Sequence, residues 1–103
     1  MKDIKQKSVK QEKKLAKKLD GLARKGSGCG ALNKGDVVSK GWLAECKYTG
    51  KQSIRLTKKM IEKIEQEAVE IGKEPLIELQ IQDRIVYVLM DYQFDVIRDR
   101  LEA

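Results

Sequence analysis

The sequence predicts an α/β domain in which a small mixed β-sheet is flanked by helices, in the order α-β-β-α-β-β-α. Apolar residues recur at helical spacing in three segments, and short apolar runs of strand length lie between them. Glycines separate several of these segments. The chain has 103 residues, which is the size of one domain. Because no internal repeat or boundary is visible, residues 1–103 are interpreted as a single domain.

Composition and charge narrow the classes of function. The chain has 22 Lys and Arg against 16 Asp and Glu, a net charge of +6, which suits a polyanion such as nucleic acid; ordinary solubility charge is the alternative. It has no His, which excludes a Cys/His zinc site and acid–base catalysis by His. Cys29 and Cys46 are expected to be reduced, in a cytoplasmic protein. No signal peptide or membrane-length apolar run is visible.

A first helix is predicted from about Ser8 to Arg24, after a flexible basic extension formed by residues 1–7. Ser8 and Gln11 have the spacing of a capping box, and apolar residues then follow at helical spacing. The opposite face is rich in lysine, which fits either a solvated surface or contact with phosphates. The glycine-rich segment 25–30 is either a helix stop and connector or a loop that lets the backbone approach a phosphate.

Two short strands and a second helix follow in the sequence. The strands are predicted at residues 36–40 and 42–48. The helix is predicted to begin at Ser53 or Thr57, and to end at Ile71 because a glycine follows it. Its lysine-rich first turn opposes the helix dipole, which fits an anionic partner or a solvated face.

The last third of the chain predicts two more strands and a helix. Leu76–Ile81 forms one strand, and Arg84–Met90 forms another that is apolar on both faces. That pattern predicts a central strand covered on both sides. Asp91 can cap a final helix over residues 91–102. Its inward-facing residues are expected to be Phe94, Ile97 and Leu101.

A group of charged residues near the first hairpin is the candidate site. Glu45 and Lys47 are two residues apart on one strand, so their side chains share a face, and the hairpin can bring Asp36 beside them. Two carboxylates can hold a hard cation such as Mg²⁺. With a lysine nearby, such a site can activate water and neutralise a phosphoryl transition state. The alternatives are a structural Glu45–Lys47 ion pair and a turn role for Asp36.

Short segments across about residues 9–82 match one family in order and spacing. They are Gln11-Glu12, Gly26-Ser27-Gly28, Lys34-Gly35-Asp36-Val37, residues 43–49, Ser53-Ile54 and residues 68–76. In these segments the chain resembles the PD-(D/E)XK nuclease superfamily and, within it, the archaeal-type and phage-type Holliday junction resolvases. The resemblance implies a restriction-endonuclease-like core and a metal-dependent endonuclease of DNA recombination and repair. The chain departs from the family's pattern in having no Pro before Asp36. Its small size fits a phage or mobile-element protein.

The resemblance also implies roles for the matching residues. Asp36 and Glu45 become metal ligands together with the backbone carbonyl of Cys46, and the implied cofactor is Mg²⁺, with Mn²⁺ as a substitute. Lys47 orients the attacking water and stabilises charge on the scissile phosphate. Glu12 projects from the first helix to support the metal or its water. The residues expected to contact DNA are Ser27, Gly28, Lys34, Lys51, Ser53 and Lys58.

A resolvase is also expected to be a homodimer, since twofold symmetry supplies one site for each of two strands. Tyr87, Leu89 or Phe94 would then lie at the interface, with membership of the core as the alternative. The leading hypothesis is a Mg²⁺-dependent, structure-selective DNA endonuclease in the cytoplasm of a bacterial, phage-infected or archaeal cell. The alternatives are a general or nicking nuclease of the same fold and a non-catalytic nucleic-acid-binding module.

Overall fold

The computed structural model describes residues 2–23 and 36–103, without the side chains of residues 2–5. Its elements are α1 (Lys2–Leu19), β1 (Leu22–Ala23), β2 (Val37–Val38), β3 (Trp42–Thr49), α2 (Lys58–Glu70), β4 (Glu74–Ile81), β5 (Arg84–Val88) and α3 (Asp91–Glu102). They form a five-stranded sheet in the order β1-β2-β3-β4-β5. The predicted fold class, a small mixed sheet flanked by helices, is confirmed.

The sheet is mixed because β3 and β4 pair in parallel, whereas the other neighbouring strands pair antiparallel. A parallel pair needs a long crossover connection, and α2 supplies it. Thr57 caps α2 through its side chain, which accepts a hydrogen bond from the Met60 N–H, so the predicted start at Thr57 is confirmed. The helix ends at Glu70, and Gly72 follows with a φ of 68°. No helix among the described residues is long and apolar enough to cross a membrane.

Two apolar clusters cover opposite faces of the sheet. The cluster beneath α1 comprises Leu15, Ala16, Val37, Ala44 and Leu76. The cluster beneath α2 comprises Leu43, Ile64, Ala68, Ile77 and Leu79. Successive strand residues point to opposite faces, so Glu45 and Lys47 lie on the α2 face with Leu43. Cys46 and Tyr48 lie on the α1 face.

The start of α1 differs from the prediction. The helix begins at Lys2 rather than Ser8, so the basic residues 2–7 continue the helix instead of preceding it. The reason is that residues 2–7 contain neither Gly nor Pro, and the lysines and glutamine there are good helix formers. Ser8 lies inside the helix and does not cap it.

The end of α1 also differs from the prediction, because the helix ends at Leu19 instead of Arg24. Asp20 adopts a φ of 55°, and Gly21 follows where a Cβ would overlap the carbonyl oxygen of Val38. The chain then turns into β1, which pairs with β2. This two-residue strand was missed because its apolar residues continue the helical spacing. The glycine-rich segment 25–30 lies outside the described residues.

The strand predicted to be central, β5, is an edge strand. Val86 and Tyr87, which are consecutive and point to opposite faces of the sheet, are 49% and 38% exposed. Apolar residues on both faces were interpreted as burial on both faces, but at this edge strand both faces are only partly covered. The strand buried on both faces is β4, where residues 75–79 are all buried.

The inward face predicted for α3 is wrong, since three of its apolar residues are exposed: Phe94, Ile97 and Leu101. Met90 is the N-cap residue, and Asp91 is the first residue of the helix rather than its cap. The buried residue of α3 is Gln93. Its Nε2 donates to the Pro75 carbonyl at 2.9 Å and to Glu74 Oε1 at 3.1 Å. A polar anchor therefore attaches this helix, and its apolar residues remain at the surface.

Candidate active site

The β2–β3 hairpin fixes Asp36 beside β3. Val37 pairs with Ala44, so Asp36 lies opposite Glu45 at the end of the ladder. The Asp36 N–H donates to the Ala44 carbonyl at 2.8 Å, and Asp36 Oδ2 accepts a hydrogen bond from the Cys46 N–H at 2.8 Å. The side chain is buried, with 7% exposure. Because its carboxylate bonds to a backbone N–H ten residues further along, Asp36 is not simply a turn residue.

Cys46 presents its backbone to the same place. The N–H and C=O of one strand residue point toward the same neighbour, so the Cys46 carbonyl faces the edge of β3 where its N–H meets Asp36. The ladder of β2 ends at Val37 and does not reach this carbonyl. Burial, followed by the charges of nearby carboxylates, raises the pKa of the Cys46 thiol. The thiol therefore stays protonated and unreactive. Cys46 contributes its backbone carbonyl, and not its side chain, to this edge of β3.

Asp36 and Glu45 form a pair of interacting carboxyl groups. Burial raises the pKa of Glu45 to about 7, and a hydrogen bond with Asp36 and the Asp36 charge add to the effect. The positive charges of Lys47 and Lys63 act in the opposite direction. Two carboxyl groups that favour a shared proton are also suited to share a divalent cation. Their oxygens are the ligand type that Mg²⁺ prefers.

Lys47 lies at the edge of this pair, with its Nζ 3.9 Å from Glu45 Oε2. A charge-assisted N–H···O bond is about 2.7–2.9 Å long, so this ion pair is loose. The Lys47 side chain is 41% exposed and can reach a further partner. A structural Glu45–Lys47 ion pair accounts for this contact, but it does not account for the burial of Asp36 against the same glutamate.

Glu12, on α1, is half-buried. Burial raises its pKa, and the charge of Asp36 raises it further. The two groups therefore interact electrostatically. Nevertheless, residues 2–23 and 36–103 contain no cluster of three acidic or cysteine side chains that could enclose a metal ion.

The structure describes three of the six residues predicted to contact DNA, which are Lys51, Ser53 and Lys58. Ser27, Gly28 and Lys34 lie outside the described residues. Lys51 and Ser53 are exposed in the loop that follows β3. Lys58 is the exposed first residue of α2, and its Nζ lies 3.9 Å from Glu62 Oε2.

Two residues near the site were missed as site residues. Lys63 on α2 lowers the pKa of Glu45, and only the docking of α2 over β3 reveals this proximity. Gln11 is 3% exposed, and its Nε2 donates to the carbonyls of Lys47 and Glu78 at 3.2 and 3.3 Å. Its sequence signal is a polar residue four positions before Leu15, on the apolar stripe of α1.

The Gln11 side chain is left incompletely paired. Its Oε1 is buried without a hydrogen-bond partner among the described residues. Burying an unpaired acceptor costs about 1–3 kcal/mol. The two bonds from its Nε2 offset part of this cost by tying α1 to the adjacent carbonyls of β3 and β4.

The elevated pKa of Glu45 predicts a pH-dependent stability in the absence of divalent metal. The pKa is about 7 in the folded chain against an ordinary 4.5, so the folded state binds more protons between these values. The contribution of Glu45 to the free energy of unfolding is therefore complete below about pH 4.5 and is lost as the pH rises through 7. We expect a loss of up to about 3 kcal/mol.

Urea denaturation in EDTA at pH 5 and pH 8 measures this loss. In Glu45→Gln, which cannot titrate, the difference in unfolding free energy between the two pH values should shrink by a similar amount. If the difference in unfolding free energy between the two pH values is the same in the variant as in wild type, the pKa of Glu45 is not raised in the folded chain.

Together these features define a class of fold. A mixed five-stranded sheet lies between helices, its parallel pair is connected by α2, and two carboxyl groups and a lysine meet beside its first hairpin. This is the restriction-endonuclease-like fold implied by the sequence resemblance.

Among solved structures, the chain is similar to Hjc, a Holliday junction resolvase from the archaeal hyperthermophile Archaeoglobus fulgidus. The TM-score is 0.62 and the identity 18%, over 78% of this chain and 73% of that chain. At this identity the likeness concerns the fold, and at that level it confirms the resemblance to archaeal resolvases. No family model and no curated protein sequence matches the chain.

Proposed function

We propose that this protein is a Mg²⁺-dependent, structure-selective DNA endonuclease that acts in the manner of a Holliday junction resolvase. The observation that carries the proposal is the interacting carboxyl pair of Asp36 and Glu45 with Lys47 at its edge. Similarity of fold to a Holliday junction resolvase supports the same function. The reaction is hydrolysis of a backbone phosphodiester.

The donor set fits Mg²⁺. Asp36, Glu45 and the Cys46 carbonyl would hold the ion, with water completing its coordination. When bound, the ion polarises phosphate oxygens and lowers the pKa of a coordinated water. Because Glu45 is partly protonated near neutral pH, metal binding must displace a proton.

The residues of the chain supply the remaining chemistry. Lys47 orients the attacking water and places a positive charge beside the phosphate, where negative charge develops. Glu12 holds the water from the α1 side. The water oxygen bonds to phosphorus as the bond from phosphorus to the 3′ oxygen breaks. The water loses a proton to solvent and the departing 3′ oxygen takes one up, which leaves a 3′-hydroxyl and a 5′-phosphate.

Affinity for DNA is proposed to come from phosphate contacts. The net charge of +6 supplies attraction without base sequence. Lys51, Ser53 and Lys58 remain proposed contacts, as do the three residues outside the described part: Ser27, Gly28 and Lys34. A DNA substrate fits a cytoplasmic protein of recombination and repair.

We also propose that two copies associate through β5 and α3. No strand of the described residues pairs with the outer edge of β5. Several apolar side chains of β5 and α3 are exposed: Val86, Tyr87, Phe94, Val96, Ile97 and Leu101. Exposed apolar surface is typical of an interaction site. Leu89 packs against the cluster beneath α1, so Tyr87 and Phe94 are the candidates that remain.

The dimer makes a direct prediction. Phe94→Glu should convert the protein to a monomer, because a charge cannot be buried at an apolar interface without a partner. Phe94 is 55% exposed in the single chain, so its replacement should not unfold the monomer. Sedimentation equilibrium measures the mass, and Val69→Glu on α2, at 77% exposure, is the matched control. A dimeric Phe94→Glu or a monomeric wild type would contradict the proposed interface.

Cleavage of a labelled four-way DNA junction tests the proposed function. Matched linear duplex and single strand are compared with the junction in Mg²⁺ and then Mn²⁺. Paired, symmetric cuts in the junction alone are expected. Cutting of all substrates would indicate a general nuclease, and tight metal-independent binding without cutting would indicate a binding module.

A further inference from the structure

We propose that a pocket beside the middle of α1 is a second phosphate-binding site, which holds the backbone of a DNA segment other than the one being cut. The inference rests on the proposed function and names the branched shape of its substrate. The pocket has a volume of about 660 Å³, and its lining includes Lys7, Lys10, Lys14 and Tyr48. It is distinct from the carboxylate cluster, none of whose acidic side chains lines it.

Helical spacing makes the lysines an array. Lys7, Lys10 and Lys14 are separated by three and four residues, so they share one face of α1. All three are exposed, and Asp83 at the β4–β5 turn is the acidic residue in the lining. Three ammonium groups against one carboxylate make a cationic concavity. Lysines that converge in this way neutralise adjacent phosphates of a polynucleotide.

The wall opposite α1 fixes part of this array. Tyr48, near the end of β3, lies under the Lys7 ammonium, which is 5.7 Å from the ring centroid. This cation–π contact holds Lys7 over the sheet instead of leaving it extended into solvent. The aromatic ring and the glutamine side chains of Gln80 and Gln82, which also line the pocket, offer contacts to sugars and bases beside the phosphates.

Gln11 fixes α1, which carries the three pocket lysines, against the sheet. It lines the pocket and is 3% exposed, and its Nε2 joins α1 to the carbonyls of Lys47 and Glu78. Its buried Oε1 has no partner in the described part of the chain. The helix that carries the lysines is therefore held at a fixed position against the sheet. Because the helix is already ordered, binding of an anion costs little further conformational entropy.

The position of the pocket indicates which DNA segment enters it. Lys47 and Tyr48 are consecutive, so they point to opposite faces of the sheet. Glu45 and Lys47 lie on the α2 face, whereas the pocket opens on the α1 face. A straight duplex laid against Glu45 and Lys47 on the α2 face has the sheet between itself and the pocket. A branched DNA has a second arm that can pass around the end of β3 and β4 and occupy it.

The test compares two double variants on the same helix. Lys10→Gln with Lys14→Gln removes two pocket charges, and Lys13→Gln with Lys17→Gln removes two exposed charges that do not line the pocket. Affinities for a four-way junction and for linear duplex are measured in EDTA over a range of salt concentrations. A plot of the logarithm of the junction affinity against the logarithm of the salt concentration has a slope to which each phosphate contact contributes about 0.9. The pocket variant, which loses two such contacts, should therefore reduce this slope by about 1.8 in magnitude. Linear duplex should be unaffected, and so should the control.

Three outcomes would overturn the inference. They are an unchanged slope in the pocket variant, an equal reduction in both variants, and an equal reduction for linear duplex. Displacement of the junction by millimolar thymidine 5′-monophosphate would assign the pocket to a free nucleotide and would also overturn it. Binding in EDTA requires no cleavage, so a wild type that binds as expected but does not cut in Mg²⁺ would contradict the proposed function and leave the pocket assigned.

Discussion

Asp36→Asn should reduce junction cleavage by about 10³-fold in Mg²⁺. The substitution leaves the shape of the side chain almost unchanged and removes one of two carboxylates that face each other. A metal ligand is worth several kcal/mol of transition-state stabilisation, and each 1.36 kcal/mol is tenfold in rate. Single-turnover cleavage at saturating junction measures the loss without a contribution from binding.

The variant should fold normally, which makes the result interpretable. An asparagine can turn its amide oxygen toward the Cys46 N–H and keep the hydrogen bond that Asp36 accepts there. Removal of the Asp36 charge should also lower the pKa of Glu45 toward its ordinary value, because that charge now raises it. In EDTA, the unfolding free energy that urea denaturation measures should therefore change less with pH in Asp36→Asn than in wild type.

Asp20→Asn is the matched control for this prediction. Asp20 is exposed and has a φ of 55°, a conformation that asparagine tolerates, so the same chemical change is made without strain. The control should cut at the wild-type rate. Cleavage by Asp36→Asn within tenfold of wild type would remove this carboxylate from the mechanism.

The relative positions of Asp36, Glu45 and Lys47 could be predicted from the sequence because they follow from local rules of strand and hairpin geometry. Alternation along β3 determines that Glu45 and Lys47 share a face, and a hairpin of a few residues brings Asp36 opposite Glu45. The cap of α2 at Thr57 is likewise a property of one residue and its near neighbours. Such features depend on short-range geometry, so they can be predicted before any tertiary contact is known.

The features that sequence reasoning missed depend on which surface packs against which. The apolar residues of β5 and α3 have the spacing of buried elements, but α3 attaches through Gln93 and leaves Phe94 exposed. Lys63 influences Glu45 only because α2 lies over β3. Periodicity shows that a face is apolar, but it does not identify what covers that face.

Lys47→Ala should lower the rate of junction cleavage by about 10²–10³-fold, the usual effect of removing one group that stabilises transition-state charge. The affinity for junction in EDTA should change little, with a salt dependence reduced by at most about 0.9 for one phosphate contact. Stability should also change little, because a partly exposed ion pair with a 3.9 Å separation contributes about 0–1 kcal/mol. Lys59→Ala, exposed on α2, is the control.

The same variant separates charge stabilisation from metal binding. Lys47 lowers the pKa of Glu45, so its removal should raise that pKa further and weaken Mg²⁺ binding near pH 7, where a proton competes with the metal. At pH 8.5 the proton is gone, and the Mg²⁺ concentration for half-maximal cleavage should return toward the wild-type value. The maximal rate should stay low, because alkaline pH replaces no ammonium group at the phosphate. Recovery of the full rate at high pH would show that Lys47 acts only through Glu45 and the metal.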